Sequence, residues 1–108
     1  MADIAGILSM SRRAGKLTVG MDEVKNACRG QRAFGVLVAS DVSLKSLKEI
    51  KFVCLSENVP LYDSGMTMDQ IGGCLGKRFG ILAVTDAGFM KSMAKKIAQI
   101  EIDESDFD

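Results

Sequence analysis

The run Val36-Leu37-Val38-Ala39 is apolar at every position, with Gly35 before it and Ser40-Asp41 after it. A strand with one face in water alternates apolar and polar residues, whereas a strand covered on both faces does not. The run therefore predicts a central strand with a layer on either side. Ile81-Leu82-Ala83-Val84 repeats the pattern farther along the chain.

Upstream of the first run, residues 30 to 35 read as a loop carrying Arg32. Before it, Gly20-Met21-Asp22-Glu23-Val24-Lys25-Asn26-Ala27-Cys28-Arg29-Gly30 reads as a short helix with a glycine at each end. Asp22 and Glu23 suit the positive end of its dipole and Arg29 the negative end, while Val24, Ala27 and Cys28 form a face to bury. Residues 16 to 19 predict a short strand. They follow a helix over 3 to 13, in which Ile4, Ile7 and Leu8 recur at helical spacing and Ala14-Gly15 is the stop. Downstream, Ser43 caps a helix with an inner face of Leu47, Ile50 and Cys54, flanked by Leu44 and Val53; Lys45, Lys48, Glu49 and Lys51 face water and Asn58 ends it. Residues 60 to 63 form a brief strand, and Thr67 caps a helix that closes on Leu75-Gly76. Asp86 caps the last helix, with Phe89, Met93 and Ile97 inside. Helices thus alternate with strands throughout, which implies an α/β fold: a three-layer α-β-α sandwich with a four-stranded mixed sheet.

At 108 residues the chain has the length of one domain, read as residues 1 to 98, and needs no covalent staple. Cys28, Cys54 and Cys74 are odd in number, far apart and unaccompanied by histidine, so buried free thiols are expected rather than disulfides or a metal site. No signal segment and no apolar run of membrane length is seen, so a cytoplasmic location without membrane attachment is expected. Residues 1 to 98 carry all 14 Lys and Arg against 9 Asp and Glu, a balance of +5, and the last ten residues carry five carboxylates. A basic body suits an anionic partner. The acidic tail, 99 to 108, is expected to be mobile and to compete for the basic surface through Arg12, Lys16 or Arg29; pairing of Ile100 and Ile102 at a sheet edge, or extension of the last helix, is the alternative.

Catalytic constellations are absent. With no histidine and no Gly-x-Ser-x-Gly elbow, triad chemistry has no base and no nucleophile turn. Gly72-Gly73-Cys74-Leu75-Gly76-Lys77 resembles a phosphate loop only in part, since Ile71 stands at the first glycine position and Arg78 at that of Ser or Thr. These glycines read instead as packing and helix-stop positions. No enzyme activity, cofactor or metal is expected.

Several segments together are similar to one family. They are Ser11-Arg12-Arg13-Ala14-Gly15-Lys16-Leu17, Gly20 with Glu23 and Val24, Arg29-Gly30, the strand ending Ala39-Ser40-Asp41, Asn58-Val59-Pro60, Ile71-Gly72, Leu75-Gly76, and Ala83-Val84-Thr85-Asp86-Ala87-Gly88-Phe89. In order and spacing they resemble the ribosomal protein L7Ae/L30e family, particularly its small bacterial members of the YlxQ type. The resemblance covers roughly residues 4 to 95. It implies an α-β-α sandwich that binds structured RNA, above all kink-turns with sheared G·A pairs beside a bend, and so rRNA or a ribosome-associated RNA, with the ribosome itself a partner and the protein a monomer. In the family the first turn of the second helix, reading Gly-Thr-Asn-Glu, enters the widened groove; Gly20, Met21, Asp22 and Glu23 hold those positions here. Gly20 is implied to let the backbone approach, Glu23 to accept from guanine amino groups, and Lys25 or Asn26 to assist. The loop of Asp63, Ser64, Gly65 and Met66 is implied to cover the extruded base. Arg12, Arg13, Lys16, Arg29 and Arg32 are implied to meet phosphates.

The chain departs from that pattern at Asp22, an acceptor where the family has an amide that also donates. Val19 and Asn26 stand where many members have a basic residue. A competing reading uses the same scaffold as a protein-interaction module, with Met21, Met66, Met68 and Met90 as an exposed apolar surface.

Overall fold

The computed structural model describes residues 3–107. Its elements are α1 (Ala5–Arg13), β1 (Leu17–Val19), α2 (Met21–Arg29), β2 (Gly35–Val38), α3 (Leu44–Glu57), β3 (Leu61–Asp63), α4 (Met68–Leu75), β4 (Ile81–Val84), α5 (Ala87–Ala94) and β5 (Ala98–Gln99), followed by a 3-10 turn at Glu104–Phe107. The strands are ordered β1-β4-β2-β3-β5. β2 and β3 are parallel, and the β1–β4, β2–β4 and β3–β5 pairs are antiparallel. The sheet is mixed, as the alternation of elements predicts, with five strands rather than four.

Both apolar runs are central and buried along their whole length. Because successive strand residues point to opposite faces, each run feeds two cores. Val36, Val38, Ile81 and Ala83 meet Val24, Ala27 and Cys28 of α2 and Ile50, Val53 and Cys54 of α3. Leu37, Leu82 and Val84 meet Ile4 and Leu8 at α1, Ile71 of α4, and Met90 and Met93 of α5. Three layers result: α2 and α3, the sheet, then α1, α4 and α5.

Local chemistry fixes the helix ends. Ser43 accepts from the Ser46 amide at 3.1 Å, and Asp86 Oδ2 from the Phe89 amide at 2.8 Å. Thr67 and Gln70 form a reciprocal capping box. Asn58 and Gly76 close α3 and α4 in the left-handed conformation. Two details differ from expectation. Leu44, expected beside the inner face of α3, is 84 % exposed because it sits in the first turn, ahead of the residues that meet the core. Ile97 lies beyond α5 but still packs on the α1, α4 and α5 side.

The acidic tail is docked rather than free. Gln99 pairs with Tyr62 and Ala98 with Asp63, and the Ile100 amide donates to the Leu61 carbonyl at 2.7 Å. Ile100 and Ile102 pack on the core under α3, Lys51 Nζ stands 3.7 Å from Asp106 Oδ2, and the Phe52 and Phe107 rings meet edge to face at 5.7 Å. β3 would otherwise present an unpaired edge, and these few residues satisfy it. The expected mobility of the tail is overturned by this docking, and pairing at a sheet edge, the alternative, holds for Ile100; Asp108 lies outside the described residues. Among the described residues no helix is long and apolar enough to cross a membrane.

Candidate nucleic-acid interface

Gly20 turns the chain from β1 into α2 at φ 91°, ψ 150°, a conformation that a Cβ makes costly. Its amide donates to the Ile81 carbonyl at 3.0 Å and its carbonyl accepts from the Val24 amide at 2.9 Å. No side chain caps α2. The amides of its first turn therefore have no partner within the helix and face outward at the positive end of the dipole. Asp22 and Glu23 are exposed beside them, and Met21 is half-buried against the core.

The bond from Gly20 to Ile81 sets the start of α2 at the end of β4 that residues 76–80 lead into. That segment holds Lys77 and Arg78, both exposed, and Phe79, half-buried. Lys77 Nζ lies 6.0 Å from the centre of the Phe79 ring, and Arg78 Nε contacts Asp69 Oδ1 at 2.9 Å. A Cβ on Gly80 would touch Met68 and Val42 at 3.3 and 3.4 Å, so this loop is held tightly to the body. In the sequence Lys77 stands out only as part of an incomplete phosphate loop. A signal exists there, two cations and an aromatic between Gly76 and Gly80, but their place at the Gly20 end of the sheet depends on the antiparallel register of β1 and β4.

The loop implied to cover a base holds two of its side chains inside. Ser64 and Met66 are 1 % and 5 % exposed. The Ser64 hydroxyl donates to the Met66 carbonyl at 3.1 Å and accepts from the Met66 amide at 3.2 Å. Asp63 Oδ1 accepts from the Ser40 hydroxyl at 3.0 Å and the Gly65 amide at 2.8 Å. These bonds turn both larger side chains inward and leave Gly65, at φ 71°, as the exposed tip. The parallel register of β2 and β3 puts this loop at the Gly20 end of the sheet, with β4 and β2 between β3 and β1.

The cations divide by position. Lys25 is half-buried and committed to Glu49 of α3, whereas Asn26 is exposed. Arg29 lies at the far end of α2, about 12 Å from its start at 1.5 Å per residue. The Arg32 guanidinium lies where a Cβ on Gly30 would sit. Arg12 and Arg13 occupy the last turn of α1, and the Lys16 carbonyl accepts from the Thr85 amide at 2.9 Å. The five cations implied to meet phosphates thus gather at the end of the sheet opposite Gly20.

Two other groupings have no part in this surface. Cys28 and Cys54 face each other between α2 and α3; their mutual hydrogen bond holds the Cys28 thiol below its ordinary range, and with burial it pushes Cys54 up. The methionine surface is not formed, because Met66 and Met90 are both 5 % exposed and Met21 and Met68 are half-buried. Among the described residues no group of three or more His, Cys, Asp or Glu is placed to hold a metal ion.

Residues 2–94 match the model of the ribosomal protein L7Ae/L30e/S12e/Gadd45 family. The fold is similar to that of a protein of unknown function from Bacillus halodurans, with TM-score 0.80 and 25 % identity over 88 % of this chain and 96 % of that one. It is also similar to the 15.5kD RNA binding protein of Giardia lamblia, with TM-score 0.71 and 11 % identity over 85 % of this chain and 79 % of that one. Nothing among curated proteins matches the sequence.

Proposed function

Since the chain belongs to the ribosomal protein L7Ae/L30e/S12e/Gadd45 family, we propose that it binds structured RNA without catalysing a reaction. The first turn of α2 enters a groove opened by sheared G·A pairs, in rRNA or a ribosome-associated RNA. The observation that carries this reading is the open start of α2, where Gly20 at φ 91° exposes backbone and no side chain occupies the first-turn amides. An undistorted RNA major groove is too narrow for side chains, so such an element reads bent or bulged RNA. The RNA-binding description of the Giardia lamblia relative agrees with it.

In this reading Glu23 accepts from guanine amino groups, Asn26 assists one turn on, and Asp22 and Met21 line the approach. Lys77 and Arg78, at the same end of the sheet as Gly20, take phosphates. Arg12, Arg13, Lys16, Arg29 and Arg32 extend the phosphate contacts toward the other end of α2, supplying affinity without sequence information.

A gel-shift titration tests this with a folded RNA containing adjacent sheared G·A pairs and a straight duplex of equal length. The folded RNA is expected to bind more tightly; equal affinities would defeat the proposal. Glu23→Ala should weaken the folded RNA alone, by about 1 to 3 kcal/mol, whereas Arg12→Ala should weaken both RNAs and lower the salt slope by about 1.

A further inference from the structure

Phe34 is 50 % exposed, at the entry to β2. The other strongly exposed phenylalanine, Phe52, has the Phe107 ring against it at 5.7 Å, but Phe34 has no aromatic partner among the described residues. A lone exposed ring is ordinary; its neighbours are what distinguish this one. The Phe34 amide donates to the Val84 carbonyl at 2.8 Å and the Lys16 carbonyl accepts from the Thr85 amide at 2.9 Å. Phe34 and Lys16 thus flank the end of β4 from either side, about 10 Å apart across two strand spacings. Arg32 lies two residues before Phe34, with its guanidinium folded over Gly30, and Arg29 ends α2 just above. Among the described residues none of these three cations is in an ion pair, whereas Lys25, Lys51 and Arg78 all are.

Three carboxylates share this end of the sheet. Asp86 Oδ2 is occupied by the Phe89 amide, Glu57 is in the last turn of α3, near Arg29 and the Cys28 thiol, and Glu101 lies at the far edge, beside Asn58 and Pro60. They leave a surplus of positive charge around an uncovered ring.

We infer that Phe34, with Lys16, Arg29 and Arg32, forms a second nucleic-acid contact, taking a single-stranded RNA segment with one unpaired base on the ring and the flanking phosphates on the three cations. Every base offers a face to an aromatic ring, and cations along the backbone give such sites their salt dependence. A duplex does not satisfy it, because its bases are already stacked. The contact rests on the RNA-binding reading for its class of ligand, yet it lies at the opposite end of the sheet from Gly20 and needs no G·A pair.

The chain contains no tryptophan, so Phe34→Trp installs a single reporter. Titration of this full-length variant with an unstructured uridine oligomer of about eight nucleotides should quench its emission saturably at about 50 mM salt, with most of the affinity lost at about 200 mM. A duplex of the same length should quench weakly. In anisotropy titrations of the labelled oligomer, Phe34→Tyr should bind as the native chain does and Phe34→Leu about tenfold more weakly. Lys16→Ala and Arg32→Ala should each reduce the single-strand salt slope by about 0.7. Absent quenching, or quenching equal with the duplex, would overturn the inference. If the tryptophan variant fails to fold by circular dichroism, equal affinity of the Tyr and Leu variants would overturn it instead. Because the oligomer has no bent groove, a negative result here leaves the α2 reading standing, and a negative gel shift with the folded RNA leaves this one standing.

Discussion

Gly20 and Gly30 bracket α2, and the backbone uses them differently. Gly20 sits at φ 91° with nothing within 4 Å of where a Cβ would stand, so an alanine there finds space but a strained conformation. Gly30 sits at φ −83°, where an alanine is unstrained but meets the Arg32 guanidinium and crowds the Asn26 carbonyl at 3.2 Å. Gly20→Ala is therefore expected to destabilise by about 1 to 2 kcal/mol. Gly30→Ala should stay within about 0.5 kcal/mol, since lost unfolded-state freedom offsets the crowding and a guanidinium swings aside easily. Urea unfolding midpoints check this; a larger loss at Gly30 would show that Arg32 is fixed rather than mobile. The sequence showed both glycines as helix boundaries, because boundary glycines have a local cause. It could not show which needed the positive φ, since that follows from how β1 meets β4.

At the scale of elements, what was legible is what neighbouring residues decide. Ser43, Thr67 and Asp86 each cap the helix they precede, and the two apolar runs are the central strands. The tail was not legible, because β5 exists only against β3, more than thirty residues earlier in the chain. Its isoleucines are too sparse to build a core alone but suffice to extend one already made. Truncation after Ile97 removes β5 and the packing of Ile100 and Ile102 on the core. Two half-buried isoleucines amount to about 2 kcal/mol, which for a domain of this size lowers the melting temperature by about 10 °C. A thermal melt by circular dichroism checks it, and an unchanged midpoint would return the segment to the status of a free tail. The same distinction governs the proposed RNA surface: α2 was readable as its element, while residues 76–80 share its end of the sheet only through the β1–β4 register.

At the scale of the whole molecule, the acidic segment lies at one edge of the sheet, along β5 and α3, while the cations of the proposed RNA surfaces border α2 and the ends of β1 and β4. From β1 to β5 there are four strand spacings, about 19 Å, in a body with a 12.5 Å radius of gyration. The Debye length is about 8 Å at 0.15 M salt and about 30 Å at 0.01 M, so the tail charges act on an RNA at α2 only when salt is low. Glu101 and Glu104 are exposed and in no ion pair among the described residues. The double variant Glu101→Gln, Glu104→Gln therefore removes charge without undoing the docking through Asp106 and Phe107. It is expected to raise affinity for the folded RNA several-fold at 0.01 M and by less than about twofold at 0.15 M, as screening removes a repulsion acting over that distance. A gain that persists undiminished at 0.15 M would mean that the segment reaches the RNA surface itself, against the position the sheet gives it.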